Sequence, residues 1–95
     1  MKLYHATTPN KVRKYHASGH RILNPVRGFD SLNAAMAWAM RTRRSVILEI
    51  EAPDAIKLPD HHNAFGQAYW VDRDVSEWKC IVSPENTRAL KPGGA

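Results

Sequence analysis

"LYHATTP", residues 3–9, decides how the fold begins. Residues 2–6 read as a short strand, and Thr8 followed by Pro9 reads as a helix start. The Thr8 hydroxyl can accept from a backbone N–H of the first turn. Pro9 sits where a missing N–H costs nothing and a fixed φ suits the helix. The chain therefore opens as a strand running straight into a capped helix. His5 lies inside that strand, either as a ligand-gripping residue or as a packed histidine donating to a backbone carbonyl.

Working outward, residues 9–18 place Val12, Tyr15 and His16 on one helix side, with lysines and an arginine on the other and Gly19 as C-cap. "HRILN" (20–24) reads as a brief extended piece ended by Pro25. Asp30 or Ser31 caps a second helix, in which Leu32, Ala35, Met36, Ala39 and Met40 form an apolar stripe at helical spacing. Trp38 lies off that stripe and marks either a second packing surface or a contact site. Residues 45–53 alternate as a strand stopped by Pro53, 54–62 read as a turn or loop, and 68–72 and 78–83 as two further strands. The layout is mixed α+β and strand-rich in its second half.

Ninety-five residues make one domain, expected over 1–90 with 91–95 (KPGGA) as a flexible tail. No window approaches the ~20 apolar residues of a membrane span. The first residues lack the apolar core of a signal peptide. With Cys80 the single cysteine, an internal disulfide is excluded, and a cytoplasmic location is expected. Cys80 itself, in "KCIV", reads as a buried thiol. A formal charge of +5 favours polyanions. It gathers at Lys11, Arg13 and Lys14 and at Arg41, Arg43 and Arg44. Each group is either a solvated helix surface or a patch for nucleic acid or an acidic protein. Asp60, His61 and His62 read as polar loop rather than metal site, because neighbours along an extended chain point apart. No metal is expected.

Three segments in order, "LYHATTP", "RGFDSLNAAMAWAM" (27–40) and "GQAYWVDRDVSEWKCIV" (66–82), with "VILEIEAP" (46–53) between the last two, resemble the ADP-ribosyltransferase superfamily. This superfamily includes poly-ADP-ribose polymerases, DNA-ADP-ribosylating toxins and RNA 2′-phosphotransferases. The resemblance implies a small split β-sheet core with two helices and NAD, as substrate, in a cleft between the sheet halves. It implies that His5 hydrogen-bonds a ribose, with Ala6 and Thr7 beside it. Phe29 would pack on nicotinamide, and Ser31 matches the small hydroxyl residue closing the second motif. Tyr69 opens the Tyr-x-Val core of the third motif. There the glutamate that would stabilise the developing ribosyl cation reads as Ala68, with Gln67 as a neutral stand-in and Asp72 and Asp74 beyond the strand. The catalytic pair expected is thus His5 and Gln67. The alternative is an inactive module of the same fold, holding nucleic acid or an acidic host protein. A phosphotransferase relative would need arginines in the cleft.

Overall fold

Residues 46–50 carry buried apolar side chains on both sides of the chain, which needs a sheet with two covered faces, and two capped segments provide the covers. The structure, a computed structural model, describes residues 1–84; the expected tail at 91–95 and the end of the expected domain lie outside the described residues. The elements are β1 (Lys2–Thr7), α1 (Pro9–Ala17), β2 (Val26–Phe29), α2 (Leu32–Thr42), β3 (Val46–Glu51), β4 (Ile56–Asn63), β5 (Gly66–Val71) and β6 (Trp78–Val82). The fold class is α+β, one open six-stranded sheet with two helices, and the strand order is β4-β5-β2-β1-β3-β6. Every neighbouring pair is antiparallel.

The two helices start as capping chemistry requires. Thr8 Oγ1 accepts from Lys11 N at 3.3 Å with Pro9 in the first turn. Ser31 Oγ accepts from Ala34 N at 3.0 Å. α2 ends with Arg43 in the left-handed conformation (φ 57°), and Arg44 N closes back on Ala39 O at 2.8 Å.

The sheet divides the core. On one face Leu3, Val26, Leu48, Ile50, Val71 and Trp78 are buried, and Val12 and Tyr15 of α1 pack against them. On the other face Ala6 and Ile47 meet Ala35 and Ala39 of α2. This second contact corrects the expected stripe. α2 buries Ala34, Ala35 and Ala39, while Leu32, Met36 and Met40 are exposed, Met40 to 77%. Methyl side chains let the helix lie close on the sheet, and that close approach sets which side faces inward.

Three further expectations are corrected. Residues 54–62 do not form a loop; most of them belong to β4, an edge strand with no buried residue and therefore no apolar alternation to read. Residues 20–24 form no strand and contribute one isolated bridge, Ile22 to Val75, while the strand lies at Val26–Phe29. Cys80 is exposed rather than buried.

Candidate active site: a cleft at the central seam of the sheet

β1 lies in full register on β3, from Lys2 opposite Glu51 to Thr7 opposite Val46. On its other side β1 meets β2 at Tyr4 and Phe29 alone, after which the two strands part. The crossing is tight because Gly28 has no side chain: a Cβ there would stand 3.0 Å from Tyr4 O and 3.1 Å from Leu3 Cβ.

His5 spans the opening. By alternation it belongs to the α1 face with Leu3 and Thr7, and its Nδ1 reaches across to the Arg27 carbonyl on β2. A carbonyl only accepts, so the proton is on Nδ1, and Nε2 is left to accept from Tyr15 OH at 3.3 Å. Tyr15 OH in turn lies 3.3 Å from Thr7 Oγ1. With the tyrosine proton given to His5, the fully buried Thr7 hydroxyl is the donor to Tyr15. Burial pushes the His5 imidazole below its ordinary value of 6.5, the hydrogen bond to Arg27 O opposes this, and the charges of Arg44 and Lys11 add to the lowering. The ring is therefore held neutral.

A cleft of about 580 Å³ opens at this seam, on the α2 side of the sheet. That volume is within the ~300–1,000 Å³ of small-molecule sites. Its floor is Tyr4, Ala6, Phe29 and Ala68, with the His5 ring at the parting of the strands. One wall is α2, through Ala37, Trp38 and Arg41; the other is β4, through Leu58 and 60–63. Phe29 and Trp38 meet with ring centroids 6.3 Å apart and planes tilted by 51°. Trp38 is 40% exposed, which leaves part of the indole open to the cleft.

The lining is electropositive. Arg27, Arg41 and Arg44 face it, against Asp60 as the one carboxylate among the described lining residues. Arg44 is anchored, donating from NH1 to Ala6 O at 3.0 Å. Among the described residues no hydrogen bond or ion pair occupies the side chains of Arg27 and Arg41. Their charge is left to a ligand or to solvent. No group of three or more His, Cys, Asp or Glu among the described residues is placed to hold a metal ion.

Comparison with protein-family models, with curated proteins and with solved structures gives no match for this chain.

Of the residues singled out by sequence, the structure brings His5, Ala6 and Phe29 to one cleft. Thr7 is buried behind it as the far end of the hydroxyl relay. Ser31 works elsewhere: it caps α2 and donates to Phe65 O at 2.8 Å, tying the β4–β5 turn to the helix. Tyr69 packs against the α1-side core, the opposite face of β5 from Ala68. Gln67 is not among the lining residues. Its side-chain amide donates to the carbonyls of Leu58 and, at 3.0 Å, His61, and its backbone N donates to Asp30 Oδ1 at 3.0 Å. Asp72 and Asp74 hold the 20–24 segment, Asp72 accepting from the Asn24 amide at 3.1 Å and Asp74 from Asn24 N at 2.8 Å. Of the two basic groups, the one at the end of α2 supplies Arg41 and Arg44 to the cleft, and Lys11, Arg13 and Lys14 stand exposed on α1. The sequence reading does not single out Arg27, and it takes Asp60 as part of a polar loop. Arg27 precedes the glycine that lets β2 cross β1, and Asp60 belongs to a strand without periodicity.

Proposed function

We propose that the protein binds NAD or a related nucleotide in the seam cleft and is an ADP-ribosyltransferase-like transferase. The observation that carries this is the parting of β1 from β2 over a cleft that joins His5, Ala6 and Phe29 to three arginines. A seam within the one open sheet supports the reading, since the resemblance implies a nucleotide held between two sheet halves. The arginines match a pyrophosphate, which offers several accepting oxygens to planar guanidinium forks. Phe29 and the open part of Trp38 offer an apolar, stackable surface for a nicotinamide or adenine ring. His5 acts as a neutral group at the edge of the cleft, its ring held at the seam by Arg27 O on one nitrogen and by Tyr15 OH, at 3.3 Å, on the other.

Isothermal calorimetry with NAD tests the reading. Binding in the millimolar range or tighter is expected for the wild-type chain, weakened about tenfold in His5→Ala, the loss of ~1.4 kcal/mol. No heat with NAD, or equal affinity in the variant, overturns it. A second reading draws on exposed Trp38 and Arg41 in the same cleft: a non-enzymatic module in which this pair holds single-stranded nucleic acid or an acidic protein, with Lys11, Arg13 and Lys14 as a separate basic group on α1, across the sheet. Affinity for an oligonucleotide that falls steeply with salt, together with no NAD binding, decides for that module. The arginines beside His5 also meet the requirement of an RNA 2′-phosphotransferase relative, for which a 2′-phosphorylated RNA end in place of NAD is the discriminating ligand.

A further inference from the structure

β5 presents a methyl group to the cleft where the resemblance calls for a carboxylate, and the strand beside it departs from regular pairing at that same position. Lys57 pairs with Tyr69 and His62 with Gln67, so that Leu58, Pro59, Asp60 and His61 stand against Ala68 alone. A bulge of this kind turns side chains away from the ordinary pleat and is found next to active sites. It is closed by Gln67, whose amide donates to the carbonyls of Leu58 and His61 at its two ends. Ala68 is itself opposite Phe29 across β5 and β2, which puts the bulge two strand spacings, about 10 Å, from β2. Asp60 lines the cleft. Among the described residues no hydrogen bond or ion pair occupies its carboxylate, although Arg27, Arg41 and Arg44 line the same space.

We propose that Asp60, delivered over Ala68 by the Gln67-closed bulge of β4, is the catalytic carboxylate of the cleft. The inference rests on the nucleotide-binding reading above and adds to it the residue that makes binding productive. In the step it supports, the bond between C1′ of the nicotinamide ribose and the pyridinium nitrogen breaks. The bond's electron pair leaves with nicotinamide, which departs neutral. The positive charge passes to the ribose C1′–O4′ unit, where the Asp60 carboxylate stabilises it. A water molecule, the simplest acceptor, adds through oxygen to C1′ and releases its proton to solvent. The products are nicotinamide, ADP-ribose and a proton. Ala68 leaves the space a larger β5 side chain would fill, and Gln67 is a positioning residue, acting through the bulge.

The test uses the wild-type chain and Asp60→Asn, a variant at an exposed residue that keeps size and shape. NAD binding is followed by calorimetry and nicotinamide release by chromatography. Expected is a dissociation constant unchanged within about threefold and nicotinamide release slowed about 10²- to 10³-fold, the scale of losing one group that stabilises transition-state charge. Equal release by the two proteins overturns the role of Asp60 and leaves the cleft reading in place. Wild-type binding without release overturns it too. Absence of NAD binding by the wild type removes both, and is recognised at the calorimetry step before any turnover is read.

Discussion

A histidine whose two ring nitrogens are both engaged inside the protein has its protonation state written into the fold. His5 gives its Nδ1 proton to Arg27 O and receives one at Nε2 from Tyr15, so an added proton would break the second bond and place a cation near Arg44 and Lys11. Folding thus favours the neutral ring, and the unfolded chain binds more protons. The stability this contributes is present above the unfolded value of about 6.5 and is lost as pH falls below it through the lowered folded value. The urea midpoint should drop between pH 7.5 and pH 5, and His5→Gln should make that drop smaller. A wild-type and variant pair with parallel pH profiles would assign the effect to other groups. At this scale the sequence was informative about His5, Ala6 and Phe29, because a resemblance of order and spacing places them on facing strands. It was not informative about Gln67 or Tyr69. Alternation along β5 tells which residues share a face and not which face carries the cleft.

Among the elements, β4 and β5 show how a hairpin whose outer strand has no buried residue is held. Asn63 Nδ2 donates to Ala34 O at 3.1 Å and Ser31 Oγ to Phe65 O at 2.8 Å, so the turn is clamped to the start of α2. A Cβ at Gly66 would come within 2.6 Å of Asp30 Oδ1, which keeps that clamp close. Gln67 then fastens the bulge. Gln67→Ala leaves the Leu58 and His61 carbonyls without their donor, and a loss of about 1 kcal/mol in urea unfolding is expected, because water reaches this edge strand and offsets part of the cost. Amide exchange should quicken at 58–62 and stay unchanged in β1 and β3; uniform quickening would mean that Gln67 supports the whole sheet rather than the bulge. The caps at Thr8 and Ser31 and the apolar run of β3 were legible because local hydrogen bonding and burial on both faces of the sheet dictate them. β4 was not, since an exposed edge strand containing Pro59 and consecutive polar residues carries no apolar period. The inward face of α2 was misjudged for a related reason: a scale that ranks leucine and methionine above alanine cannot see that the sheet admits only methyl groups there.

The whole molecule carries its charge unevenly across the seam. Among the described strands β1 and β2 are joined at Tyr4–Phe29 and through the His5 ring, and this sparsely paired seam is also where three arginines face one carboxylate. A net charge of +5 attracts any polyanion, whereas a site adds the advantage of position. The two are separable by comparing arginines. Arg41 faces the cleft, and Arg13, on α1, has its guanidinium on Asn10 Oδ1 at 2.7 Å. For NAD, Arg41→Gln should weaken binding about tenfold at low salt, within the range of a charge-assisted hydrogen bond. The difference should shrink only partly in 0.5 M salt, because the apolar walls of Phe29 and Trp38 limit screening inside the cleft. Arg13→Gln should change NAD affinity by less than about twofold, the scale of a distant surface charge. For a single-stranded oligonucleotide held by the general field, the two variants should lose affinity alike and lose it in proportion to salt. Calorimetric titrations of both variants at two salt concentrations decide between these patterns, and equal losses for NAD would mean that the cleft arginines act through net charge and not as a pyrophosphate site.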